Sequence, residues 1–89
     1  MNLSFSNPSR SYDITRDCVR FSGYVNIVEV EFFVEVEALK KLSPTLESAE
    51  PGYLQSFDAS RERIYAVANK AYVKGRKGST FYVLKAGDF

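Results

Sequence analysis

Along Asn26-Ile27-Val28-Glu29-Val30-Glu31-Phe32-Phe33-Val34 apolar and polar residues alternate, so that Val28, Val30, Phe32 and Val34 share one face and Glu29 and Glu31 the other. This pattern predicts a half-buried strand. At Glu35 the period changes, because Val36, Leu39 and Leu42 recur at helical spacing until Ser43-Pro44 ends the run, which predicts a short helix of two turns. Upstream, Asn7-Pro8-Ser9 breaks a short alternation at Leu3 and Phe5, and Asp13-Ile14-Thr15-Arg16-Asp17 reads as the connection between strands at Arg10–Tyr12 and Cys18–Ser22. Gly23 is expected to permit the next turn.

Downstream, Ser48-Ala49-Glu50-Pro51 resembles a helix start. Leu54, Phe57, Ile64, Ala68, Ala71 and Tyr72 then fall within one arc of a helical wheel, and Gly75 supplies a stop. Unbroken, such a helix has about 23 residues and a length of about 35 Å. Ser79-Thr80-Phe81-Tyr82-Val83-Leu84 is rich in β-branched and aromatic residues and reads as the last strand. The order β-β-β-α-α-β predicts one α+β domain over residues 1–89: a four-stranded, mostly antiparallel sheet with the long C-terminal helix packed on one face.

Taken together, Ser11-Tyr12-Asp13, Val19-Arg20-Phe21-x-Gly23, Phe32-Phe33-Val34-Glu35 with Ala38-Leu39, Phe57-Asp58-x-x-Arg61-x-Arg63-Ile64, and Ala71-Tyr72-x-x-Gly75 with Tyr82-Val83-Leu84 resemble a family of short bacterial proteins, domain of unknown function 1488. The resemblance spans nearly the whole chain. It implies a small α+β fold and a stand-alone cytosolic protein, and it carries over no catalytic residue because it implies no assigned activity. The charged stretch Glu29-Val30-Glu31 departs from the pattern.

Composition narrows the chemistry. The chain has 89 residues, 45% of them apolar, with seven Phe and six Tyr, which is enough material for a core. No apolar run approaches the about 18 residues of a membrane span, so a cytoplasmic protein without membrane contact is expected. Cys18 is the one cysteine and histidine is absent, which excludes an internal disulfide, cysteine–histidine zinc sites and the commonest base for a serine or cysteine nucleophile. Cys18 itself is expected to be a buried strand thiol. Asp13, Asp58 and Asp88 are far apart in sequence, and Gly75-Arg76-Lys77-Gly78 lacks the spacing of a phosphate loop. No catalytic residue, metal site or cofactor is assigned; Glu29 and Glu31 are read as solvent-facing rather than as cation ligands.

The formal net charge is +1, but it is unevenly spread: residues 29–50 carry a balance of −4 and residues 61–85 one of +6. Arg61 falls inside the apolar arc, where its stem is expected to pack and its guanidinium to reach a carboxylate such as Asp58, Glu62 or one from the sheet; an anion site is the alternative. Arg63, Lys70 and Lys74 lie within about 40° of one another on the opposite side, with Arg76 and Lys77 continuing the patch. A homodimer through Ile27, Phe33, Tyr82 and Leu84, on the sheet face the long helix leaves bare, is one expectation; partial cover of that face by the short helix is the alternative. These features favour a non-enzymatic interaction or regulatory domain. The alternative is a weak, largely sequence-independent nucleic-acid-binding protein using the basic helix face, and a third reading is an enzyme with a carboxylate or tyrosine site.

Overall fold

The computed structural model describes residues 3–75 and 81–89. Strands β1 (Arg10–Asp13), β2 (Cys18–Val25) and β3 (Val28–Glu35) form an antiparallel meander, followed by helices α1 (Val36–Leu42), α2 (Glu50–Ala59) and α3 (Arg61–Lys74), strand β4 (Phe81–Leu84) and a 3₁₀ turn, Ala86–Asp88. The sheet order is β1-β2-β3-β4, with β4 parallel to β3, as the long helical crossover between them allows.

Register decides which side chains meet. Val19 lies opposite Val34 and Phe21 opposite Phe32, while Phe32 and Val34 lie opposite Tyr82 and Leu84. These side chains face the helices and meet Leu39, Phe57, Ile64 and Ala68 in one core. Ser56 joins α1 to α2, its hydroxyl 2.9 Å from that of Ser43 and 3.5 Å from the Leu39 carbonyl. The segment before β1 closes the open end of this layer. Phe5 stacks on Tyr65 at 4.2 Å, the Leu3 amide donates to Asn69, and Ser4 bridges Tyr24.

Three expectations are corrected here. The long helix is two helices, interrupted at Ser60, whose φ of −119° and ψ of 21° leave the helical region. Asp58 and Ser60 hold helices weakly because their side chains compete for backbone hydrogen bonds. Gly23 is not a turn but lies within β2, where a Cβ would stand 2.8 Å from the Phe5 ring; the turn is Asn26-Ile27, with Asn26 at φ 56°. Gly75 does end α3, though with φ −74° rather than in the left-handed region, and its lack of a side chain leaves room for the Tyr82 ring. The last strand is described from Phe81; Ser79 and Thr80 lie outside the described residues.

The third correction concerns the dimer residues, which do not share a face. Leu84 is 0% exposed in the core and Tyr82 stacks on Phe32, because the parallel register places them on the helix side. Phe33 does lie on the other side, yet it is only 4% exposed, covered by the Arg16 guanidinium at 4.5 Å from its ring centre and by Phe81 edge-on. Ile27 stands 95% exposed at the β2–β3 hairpin tip.

Candidate functional site

Beside the Phe33–Phe81 contact, the outer face of the sheet carries polar side chains matched within the chain. Arg20 pairs with Glu31 at 3.1 Å, the Ser22 hydroxyl donates to Glu29 at 2.6 Å, and Asp13 accepts from the Thr15 and Arg16 amides to fold the β1–β2 turn. Tyr12 donates to Asp17, and that hydrogen bond pushes the phenol up to about 12. Cys18 is buried next to this turn. Burial pushes its thiol up, with Glu35 and Asp17 adding, so it lacks the thiolate character of a nucleophile.

Arg61 sits where α2 meets α3. It donates to Asp58 and to the Pro8 carbonyl, each at 2.8 Å, and to the Tyr65 hydroxyl, with its guanidinium 4.9 Å from the centre of the Phe57 ring. Arg10 from β1 reaches the same Asp58 carboxylate with two bonds of 3.0 and 2.8 Å. Two guanidiniums thus share one carboxylate and tie β1, the N-terminal segment and the helix junction together. The Arg10 hydrogen bonds, aided by Arg61 and opposed by partial burial, hold the Asp58 carboxyl below the usual carboxylate range. A shallow groove of about 360 Å³ adjoins the cluster, lined by residues 58–63.

The cluster predicts two results. Its side chain being 25% exposed, Arg61→Ala should cost about 1–2 kcal/mol, between the values for buried and exposed pairs. Lys70→Ala, on the open surface, should stay within about 0.5 kcal/mol. Equal melting temperatures for the two variants would contradict this role. The second result concerns acid. Because the Asp58 pKa is lower folded than unfolded, the stability it contributes is present above the unfolded value of about 3.9 and is lost as pH falls through the folded one. Asp58→Asn should therefore flatten the decline of stability in that acid range, and an unchanged slope would count against the shared carboxylate.

Asp13, Asp58 and Asp88 do not converge. Asp13 folds its own turn, Asp58 holds the two arginines, and Asp88 accepts from the Lys85 amide at 2.8 Å.

On α3 one side is fixed by Ile64, Tyr65, Ala68 and Tyr72 against the sheet, and the other faces water. Arg63, Lys70 and Lys74 are all exposed there. Arg10, Arg16, Arg20, Lys40 and Arg61 each pair with a carboxylate. Among the described residues, Lys70, Lys74 and Lys85 have no such partner, and Arg63 and Lys41 reach only main-chain oxygens, of Phe89 at 3.3 Å and of Ala86 at 3.1 Å. Arg76 and Lys77, the other two residues of the basic patch, lie outside the described residues. Ala66 and Val73 are exposed between the cations, Val73 by 62%. Sequence reading by charge alone passes over these two residues; the 3-4-3 spacing of 63, 66, 70 and 73 is the signal that finds them.

No helix among the described residues is long and apolar enough to cross a membrane. No curated protein matches the chain. The chain is similar to a crystal structure of a protein of unknown function from the DUF1488 family of Shewanella loihica PV-4, with 14% sequence identity, a TM-score of 0.80, and coverage of 94% of this chain and 93% of that one. That likeness shows the same fold. Residues 3–83 match the family described as "Protein of unknown function (DUF1488)", and the chain belongs to that family.

Proposed function

We propose that this domain is a non-enzymatic interaction module that contacts an anionic partner through the outer face of α3. The observation that carries the reading is the uneven pairing of cations. Five basic side chains have carboxylate partners, whereas among the described residues Lys70 and Lys74 have none and Arg63 none but a main-chain oxygen; Lys41 and Lys85 also lack a carboxylate, but on α3 three such cations share one exposed face. Unpaired like charges on one rigid face repel each other and gain by meeting opposite charge. The same face offers no acid, base or nucleophile beside the cations other than Glu62. On the outer sheet face, by contrast, Arg20 pairs with Glu31 and Glu29 accepts from Ser22.

A retention experiment from native extract tests this, with the wild type and the Lys70→Glu, Lys74→Glu variant as baits, with and without nuclease. Both substitutions are on exposed positions, so the fold should survive, and circular dichroism checks it. Species retained by the wild type should be lost from the variant. Identical retention by both baits would reject the surface. Nucleic acid remains the second outcome of the same experiment: five cations neutralise at most about five phosphates, for a log-affinity against log-salt slope near −4 to −5 on duplex DNA, so binding should vanish near physiological salt.

A further inference from the structure

We infer that the outer face of α3 is the seat for an acidic amphipathic helix of a partner protein, laid along Arg63, Ala66, Lys70 and Val73. The inference rests on the surface reading above and adds the class of partner. These four positions follow one another by three, four and three residues, the spacing that keeps a stripe in line with a second helix packed alongside. The stripe is about 15 Å long. Ala66 is exposed and short, which lets another backbone approach, and Val73 presents an apolar side chain beside it that is 62% exposed. Arg63 and Lys70 alternate with them, and Lys74 flanks the stripe. A partner helix with aliphatic residues along its seam and glutamates on its flanks matches both features at once.

The chemistry disfavours the other two occupants. Phosphate backbones reward cations but not an exposed valine, and the exposed stripe has no aromatic ring for stacking and no amide for base edges. A second copy would have to offer acidic groups of its own. Its outer-sheet carboxylates Glu29 and Glu31 are already bonded to Ser22 and Arg20 on a flat surface, Glu37 on α1 pairs with Lys40 at 3.6 Å, and exposed Glu47 and Glu50 lie in the loop before α2 and at its first residue rather than along a helix flank. The rigidity of the seat comes from behind, where Ile64 and Ala68 are fully buried in the core.

The test uses three labelled probes against the full chain: a synthetic helical peptide with leucines at seam positions and glutamates flanking them, a scrambled peptide of identical composition, and a short DNA duplex. Fluorescence anisotropy reads affinity, and amide chemical shifts read location. The amphipathic peptide should bind saturably, shift Ala66, Lys70 and Val73, and exceed the scramble by about tenfold, the value of burying one aliphatic side chain. Lys70→Glu with Lys74→Glu should abolish binding, and replacing the peptide's glutamates by lysines should restore it to that variant. Equal binding of the scramble, shifts elsewhere on the molecule, or no binding overturns the helix seat. Tighter binding of the duplex, or a self-association in sedimentation that the double variant dissolves, also overturns it, though both leave the α3 surface standing. Identical retention in the extract experiment removes that surface as well.

Discussion

Phe32→Ala is expected to cost about 3–5 kcal/mol, the range for deleting a fully buried aromatic ring. Phe32 lies on the central part of the sheet with no exposure, its ring 5.3 Å from Phe21, 5.6 Å from Tyr82 and 6.2 Å from Phe5. Phe21 and Tyr82 are its neighbours in register on the flanking strands, so they cannot close the space without moving the strands themselves. A domain of this length has a total stability of about 4–13 kcal/mol. The melting temperature should fall by about 15–30 °C, and at the low end of that stability the variant would be largely unfolded at 37 °C. Phe81→Ala, on the more exposed opposite face, serves as the comparison. A smaller loss for Phe32 than for Phe81 would mean that the core is not centred on this ring.

Gly52→Ala should be the next most damaging change, at about 3 kcal/mol, despite alanine being the better helix former. Gly52 lies in the first turn of α2, against the end of the loop that leads into it. A Cβ there would stand 2.8 Å from both the carbonyl carbon and the Cβ of Glu47, and nearer still to the Glu47 carbonyl oxygen. Since the obstacle is backbone, α2 and the loop must separate, and the Ser56–Ser43 bond between α2 and the end of α1 would be strained with them. Gly87→Ala is the control, because nothing lies within 4 Å of its added carbon. Thermal unfolding of the two variants compares them directly; similar melting temperatures would contradict the close approach at Gly52.

Much of this architecture is legible without coordinates, and the reasons differ by element. In α1 the residues Val36 and Leu39 are both buried at helical spacing, and Ser43-Pro44 follows, so period and breaker agree on where it lies. In β3 the apolar alternation marks Val28, Val30, Phe32 and Val34 as the inner face; the last three are buried, whereas Val28, next to the hairpin tip, is 62% exposed. β4 resists the same reasoning because Phe81 and Val83 are as apolar as Tyr82 and Leu84; only pairing with β3 chooses between the two sets. Phe33 is covered by Arg16 from the neighbouring hairpin turn, a contact between residues that no local period encodes. Gly23 reads as a turn in sequence and Gly52 passes as an ordinary helix position, yet each makes room for another part of the chain, Phe5 in one case and the Glu47 backbone in the other. The basic positions of α3 are legible from the wheel alone. That Arg61 and Arg10 share Asp58, and that Lys70 and Lys74 have no carboxylate partner among the described residues, requires the assembled fold.

The most direct measurement for the claim that α3 carries the contact surface is site-specific photocrosslinking in native extract. A photoreactive side chain replaces exposed Ala66 in one sample and exposed Glu37, on α1, in another. Neither position is in the core, so both proteins should fold. The account predicts a discrete adduct from position 66 that disappears when Lys70→Glu and Lys74→Glu are added, and none from position 37. An adduct from position 37 of equal yield, or one from position 66 that survives reversal of both lysines, would contradict it.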